Sequence, residues 1–139
     1  MPAASDNAVT VTEAWKVLGD EGRIEEVERY YHPDFVLHAP EGQFDQRQFA
    51  EILAAIRTGF PDLVTRVEET VVEGDRVAYR WLSEGTHLGE YMGVPATSRP
   101  ITATGIAISH FGDDGRIVAD WVSWNRASVL HSMGIVPIL

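Results

Sequence analysis

The sequence of residues 74–125 is GDRVAYRWLSEGTHLGEYMGVPATSRPITATGIAISHFGDDGRIVADWVSWN. It predicts three long strands joined by two glycine-rich turns, because side chains of similar character recur at every second position along each segment. One face of the middle strand carries only small residues: Ala103, Gly105, Ala107 and Ser109. The last strand places Asp120 and Val122 on one face and Trp121 on the other.

Helices are predicted before this region. The apolar residues of 11–18 recur at helical spacing, and Thr10 opens a sequence with the spacing of a capping box. A second short helix is expected over 24–31, where the following proline ends it. A third helix is expected to start after Asp45 and to end near residue 60.

The order of these elements defines the fold class. Further strands are predicted at 35–39 and 63–72. Helices followed by consecutive strands with short turns favour an α+β fold with antiparallel pairing. We expect a curved antiparallel sheet wrapped on the N-terminal helices into a cone with an internal pocket. The chain is expected to form a single domain over residues 1–139, with residues 1–7 frayed.

The last predicted strand has large apolar residues on both faces. The helices can cover only one face of the sheet, so the outer face needs another cover. A second copy of the chain is the simplest one, and we expect a homodimer formed through the outer sheet face.

Composition excludes several partners and chemistries. The chain has 139 residues, with 21 acidic against 11 basic side chains and a formal net charge of −10. This charge disfavours nucleic acid and anionic membranes, which require clustered basic residues. The absence of cysteine excludes disulfides and thiolate chemistry. No secretory signal and no membrane-spanning apolar run are recognised, so a cytoplasmic protein is expected.

Four segments carry a resemblance to a known family. GDRVAYRW, EGTHLGEYMGVPATSRPI, DDGRIVADWVSW and the earlier YYHPDF resemble the SnoaL-like polyketide cyclase family of the nuclear-transport-factor-2-like superfamily. The resemblance covers about residues 8–135 and implies an α+β cone fold. Its most specific motif consists of Gly85, Thr86, His87, Gly89, Gly93, Pro95 and Thr97. The superfamily includes enzymes of several classes and non-catalytic binders, so the fold does not fix the reaction.

The resemblance also implies positions for catalytic groups. The family's cyclases use an aspartate on the last strand as general base and a histidine on the preceding strand. When the last hairpin is aligned through DGRI (114–117), with one extra residue in the preceding turn, these positions fall on Val122 and Ala107. This chain therefore departs from the cyclase pattern at both positions. Asp120 lies two residues before Val122 and shares its face, so two alternatives are open: a shifted base at Asp120, or a pocket with different chemistry.

Asp120 is the first candidate catalytic residue. It lies between Ala119 and Trp121, where partial desolvation would raise the pKa of its carboxyl toward the value that a general base needs. The alternative interpretation is a strand carboxylate paired with Arg80 or Arg116.

Two histidines are candidates for assisting it. His38 follows an apolar triplet and could reach the pocket or lie at its rim. His87 belongs to the family motif and could line the pocket mouth or hold the Gly85–Gly89 bend. These three candidates have no local spacing typical of metal ligands, and no metal is expected.

A pocket for a small apolar molecule is also predicted. The small residues of the middle strand favour a cavity for a flat apolar ligand, although close packing of a helix is the competing interpretation. The predicted substrate-binding residues are Trp15, Phe60, Trp81, Tyr91, Met92, Ala107, Val122 and Trp124. No dinucleotide or phosphate-loop motif occurs, so chemistry without a cofactor is expected.

Three functions agree with these observations. The first, which we predict, is a polyketide cyclase-like or isomerase-like enzyme that transfers protons on an apolar ketone or polyketide-like substrate. The second is a hydrolase, hydratase or hydroxylase-like enzyme that uses His38 and His87 to position water or oxygen. The third is a non-catalytic protein that binds an apolar ligand.

Overall fold

A computed structural model describes residues 4–135 of the chain. Four α-helices and six strands are found in this part of the chain, together with a π-helical turn (Trp15–Asp20) and a 3-10 turn (Ile24–Glu26). The helices are α1 (Ala4–Ala14), α2 (Val27–Tyr30), α3 (Gln46–Gly59) and α4 (Arg126–Ser132). The strands are β1 (Tyr31–Ala39), β2 (Gly42–Asp45), β3 (Val64–Glu73), β4 (Arg76–Thr86), β5 (Pro100–Phe111) and β6 (Ile117–Trp124).

The six strands form one curved, unclosed sheet in the order β2-β1-β6-β5-β4-β3. The predicted α+β class is confirmed. The sheet is not antiparallel throughout, however, because β1 and β6 pair in parallel. These two strands are far apart in sequence, so no tight turn forces them to be antiparallel. Within residues 4–135, no helix is long and apolar enough to cross a bilayer.

Helix α1 starts earlier than predicted. It begins at Ala4 and continues into the π-helical turn, so the helical stretch runs to Asp20. The predicted capping box at Thr10 is wrong, because the Thr10 hydroxyl donates within the helix to the carbonyl of Asp6 at 2.9 Å. Residues 4–7, which were expected to be frayed, are helical, and residues 1–3 lie outside the described residues.

Helix α3 begins as predicted. The carboxylate of Asp45 accepts from the backbone N–H of Gln48 at 2.8 Å, and the Gln48 side chain accepts from the N–H of Asp45 at 2.9 Å. This capping box satisfies two amide groups that the first turn leaves unpaired. The helix ends at Gly59, where a Cβ would lie 2.8 Å from the Cβ of Tyr91.

The faces of the long strands follow the predicted alternation. Val77, Tyr79, Trp81 and Ser83 of β4 are buried on the inner face. Their neighbours on β5 are Ala103, Ala107 and Ser109, which are also buried. Helix α1 and the π-helical turn contact β3 and β4, whereas α3 contacts β1 and β2. The helices thus cover the inner face and leave the outer face open.

Two strands depart from the predicted pattern. Strand β1 starts at Tyr31 rather than Phe35, and its register with β6 is irregular between Tyr31 and Val36. Strand β3 has an irregularity between Val67 and Glu69, after which Val71 becomes exposed. An extra residue in one strand shifts the alternation, which explains why Val71 is exposed.

Candidate active site

A cavity of about 440 Å³ lies between the inner face of the sheet and helix α3. Helix α3 contributes Phe49, Ile52, Leu53 and Ile56 to its lining. Six of the eight predicted substrate-binding residues also line it: Trp15, Phe60, Trp81, Tyr91, Val122 and Trp124. Most of the lining is apolar, so the cavity suits an apolar molecule with a few polar groups.

The small residues of β5 contribute less to this cavity than expected. Ala103 lines it, but a Cβ on Gly105 would lie 2.3 Å from the ring of Trp81. The indole therefore occupies the volume that glycine leaves free. Ala107 is buried between its strand partners Tyr79 and Val122 and is not part of the cavity lining.

Asp120 lines the cavity and is only 3% exposed. Strand β6 places it beside Leu37 of β1 on one side and Ser109 of β5 on the other. The hydroxyl of Ser109 donates to Asp120 Oδ1 at 2.5 Å. This bond holds the carboxyl against strand β5 on the inner face of the sheet.

Burial raises the pKa of Asp120 from its ordinary value of 3.8 to about 7, and the hydrogen bond from Ser109 opposes this shift only in part. The alternative pairing with an arginine does not occur. Arg80 lies on the outer face, where it contacts Glu68 at 2.8 Å and Glu69 at 3.0 Å. Arg116 binds Asp114 at 2.8 Å. Among the described residues, Asp120 has no cationic partner, so desolvation governs its proton affinity.

Two buried phenols accompany this carboxyl. Burial, and after it the charge of Asp120, raises the pKa of both Tyr31 and Tyr79. The Trp15 Nε1–H donates to the Tyr79 hydroxyl at 3.3 Å. Both phenols therefore remain neutral O–H donors beside a group that exchanges a proton near neutral pH.

Sequence reasoning did not identify Ser109, Tyr31 or Tyr79 as site residues. Ser109 and Tyr79 lie on inner faces that were predicted correctly, so the signal for inward orientation was present. The sequence did not reveal the register between the strands. This register pairs Ser109 with Asp120 on one side and with Val77 on the other, and Tyr79 follows Val77 by two residues on the same face. Cross-strand register depends on turn geometry and packing, which single-strand periodicity does not reveal.

The structure places His38 on the outer face of the sheet, which corrects its expected position in the pocket. Its ring stacks on Trp121, with centroids 4.2 Å apart and an angle of 10° between the planes. The cause is strand alternation: Leu37 lines the cavity, so the next residue points to the opposite face.

His87 is fully buried but is not part of the cavity lining. Its Nδ1 hydrogen-bonds the hydroxyl of Thr97 at 2.9 Å, and its backbone pairs with Arg99 and Ser98. The ring also contacts Phe60, with centroids 5.5 Å apart. These contacts agree with the interpretation that His87 holds the loop in shape.

Met92 differs from the other predicted substrate-binding residues, since it lies partly exposed in a turn with a φ of 52°. Its neighbour Tyr91 reaches the cavity instead. Within residues 4–135, no group of three or more His, Asp or Glu side chains is placed to hold a metal ion.

The curved sheet and the N-terminal helices that cover its inner face place this protein in the class of small α+β cone folds. Asp120 is buried between them. A family model described as SnoaL-like polyketide cyclase matches residues 8–133. The chain therefore belongs to the SnoaL-like polyketide cyclase family. No curated protein matches the chain at a significant level.

Solved structures with the same fold include proteins of different stated activity. IdmH of Streptomyces antibioticus, a proposed polyketide cyclase, is 30% identical, with a TM-score of 0.79 over 96% of this chain and 100% of its own. AclR of Streptomyces galilaeus, a proposed hydroxylase, is 24% identical, with a TM-score of 0.85 over 99% and 86%. A proposed SnoaL-like polyketide cyclase of Jannaschia sp. CCS1 is 20% identical, with a TM-score of 0.86 over 99% and 97%. At identities below 25%, the last two similarities establish the fold alone.

Proposed function

We propose that this chain is an enzyme that transfers a proton at the carbon next to a ketone, on an apolar polyketide-like substrate and without a cofactor. The observation that carries the proposal is Asp120, a carboxyl that lines an apolar cavity, has no cationic partner within residues 4–135 and has a pKa of about 7. A base whose pKa lies near the working pH combines a useful fraction of the charged form with a strong affinity for the proton.

The neighbouring groups suit such a reaction. The Asp120 carboxylate would remove the α-proton, and the electron pair left behind would form an enolate with its charge on the ketone oxygen. A neutral phenol O–H from Tyr79 or Tyr31 could donate a hydrogen bond to that oxygen. Hydrogen-bond donors aimed at developing charge in a dry site lower the barrier considerably.

Two outcomes are open to the enolate. Its carbon can attack a second carbonyl of the same molecule, which forms a carbon–carbon bond and restores the first ketone, and the resulting alkoxide takes the proton from Asp120 to complete cyclisation. Alternatively, where a carbon–carbon double bond is conjugated with the enolate, the protonated Asp120 can return its proton to the far carbon of this system, which gives isomerisation. The family and the activity proposed for IdmH support the first outcome, because both are described as polyketide cyclases.

The proposal can be tested by hydrogen–deuterium exchange at the α-carbon of α-tetralone, a flat apolar ketone, in D₂O and followed by NMR. We expect the protein to accelerate exchange and the rate to rise with pH, with a midpoint near 7. Asp120→Asn should reduce the rate at least about 100-fold, as expected for loss of a general base. The substitution keeps an oxygen that can accept from Ser109.

His38→Gln is the matched control, because His38 lies on the outer face and should not affect exchange. Exchange that survives Asp120→Asn would refute the role of Asp120. Binding of α-tetralone without accelerated exchange in the wild-type protein would favour the non-catalytic binder instead.

A further inference from the structure

A pair of hydroxyl groups lies in the cavity lining, separate from Asp120. Thr65 of β3 and Ser83 of β4 face each other across the two strands and line the cavity together. Both side chains are buried, and their oxygens are 2.6 Å apart. Most of the surrounding lining is apolar.

The mutual hydrogen bond leaves one hydroxyl proton unused. Each hydroxyl carries one proton, and only one of the two protons can lie between the two oxygens. Among the described residues, neither hydroxyl has another side-chain or carbonyl partner, although the backbone N–H of Thr65 is bound by Asp20 at 2.8 Å. The spare hydroxyl proton can therefore donate to an acceptor that a ligand brings into the cavity.

The pair is far from Asp120 along the sheet. Asp120 is in register with Ser109, which is in register with Val77 of β4. Ser83 lies six positions beyond Val77, which corresponds to about 20 Å along a straight strand and to less in a curved one. The two polar positions therefore lie toward different ends of one cavity.

We infer that Thr65 and Ser83 form a second polar subsite, which binds a carbonyl or hydroxyl oxygen at the far end of an elongated apolar substrate. This inference rests on the proposed function, since it assumes that one ketone of the substrate lies at Asp120. It assigns the substrate class: an extended apolar molecule that carries an oxygen at each end. The spare hydroxyl proton donates to the far oxygen, and the apolar lining contacts the carbon skeleton between them.

The test uses linear diketones, from octane-2,7-dione to tetradecane-2,13-dione, and 2-alkanones of the same length. Dissociation constants are measured by isothermal titration calorimetry at equilibrium. At the best-fitting length, we expect the wild-type protein to bind the diketone about 3- to 10-fold more tightly than the 2-alkanone, the range of one hydrogen bond.

Single substitutions leave one hydroxyl able to donate, so Thr65→Val and Ser83→Ala should each keep part of this preference. The double variant Thr65→Val/Ser83→Ala should lose it, while its affinity for the 2-alkanone stays within about twofold. Thr102→Val, on the exposed outer face of β5, is the matched control and should keep the full preference. Circular dichroism verifies that the variants are folded.

A diketone preference that is absent from the wild-type protein at every length, or that persists in the double variant, would overturn the subsite. Because binding is measured without turnover, this result is independent of α-tetralone exchange. If α-tetralone exchange depends on Asp120 but the wild-type protein shows no diketone preference, the subsite is refuted and the proposed function is not. A diketone preference that disappears in the double variant supports the subsite, even if exchange does not depend on Asp120.

Discussion

Asp120 is an ionisable side chain buried in the core without a compensating charge among the described residues, which is rare in stable proteins. Its carboxyl is buried among apolar residues, and the described residues supply one hydrogen bond but no positive charge. Ionisation of such a group opposes folding, because the unfolded chain solvates the charge much better. The protein tolerates this cost at a position where the carboxyl lines the cavity.

This cost predicts how stability changes with pH. In the unfolded chain the carboxyl has its ordinary pKa of 3.8, and in the native state its pKa is about 7. Between these values the native state binds more protons, so the contribution of Asp120 to the free energy of unfolding falls as pH rises. Above about pH 7 the full penalty applies, at most about 4 kcal/mol.

The measurement is urea unfolding of the wild-type protein and Asp120→Asn across pH 4–9. We expect the variant to gain stability relative to the wild type as pH rises from 4 to 7, and the difference to level off above 7. Asp114→Asn, at an exposed turn, is the control and should show no such gain. A constant difference across this range would show that the native pKa is not raised.

The residue scale also shows what the sequence could predict about the site. Asp120 was identifiable because an acid within an apolar strand stands out against its neighbours. His38 lies outside the pocket because it alternates with Leu37, which lines the cavity, so the apolar triplet before it was not a signal for inward orientation. Tyr31 and Tyr79 are aromatic residues in a predicted core, and nothing local in the sequence distinguishes them from packing residues.

At the scale of elements, period-two alternation predicted β4, β5 and β6 well, because one face of each strand is buried over most of its length. The start of α1 and the irregularity in β3 were not predictable from periodicity. Both depend on contacts with other elements: α1 packs on β3 and β4, and β3 must follow the register of β4. Tertiary contacts override local preference in such places.

Strand β5 provides a prediction about packing across the sheet. In Gly105→Ala the new methyl group would lie 2.3 Å from the Trp81 ring and 2.9 Å from the Ser123 carbonyl oxygen. Because backbone and indole cannot both move freely, we expect a loss of about 1–3 kcal/mol in the free energy of unfolding. Urea unfolding measures this loss, and tryptophan fluorescence should report the displaced indole.

Two further variants make this prediction specific. Thr104→Ala, one residue earlier and on the outer face, should change stability by less than about 0.5 kcal/mol. Trp81→Phe in the Gly105→Ala background should recover part of the loss, because the smaller ring leaves space for the methyl group. If Gly105→Ala is as stable as the wild type, Trp81 does not fill the space beside residue 105.

At the scale of the whole molecule, the outer face of the sheet has an apolar centre. Ile106 is 60% exposed, Ile108 is 40% exposed and Trp121 is 44% exposed, and all three lie on adjacent positions of β5 and β6. We propose that a second copy of the chain covers this outer face, because such a patch can pair with itself about a two-fold axis. The predicted homodimer concerns the oligomeric state in solution, which sedimentation velocity measures.

Sedimentation velocity of the wild-type protein should show a dimer of the 15.4 kDa chain. Ile106→Asp should shift it to monomer, because the interface would bury a new carboxylate whose cross-strand neighbour, Arg80, is already paired with Glu68 and Glu69. Val9→Asp, at an equally exposed position on α1, is the matched control and should leave the dimer intact. Each copy carries a net charge of −10, so salt should strengthen association by screening the repulsion between copies. A wild-type monomer at every salt concentration, or an Ile106→Asp dimer, would show that this face is not the interface.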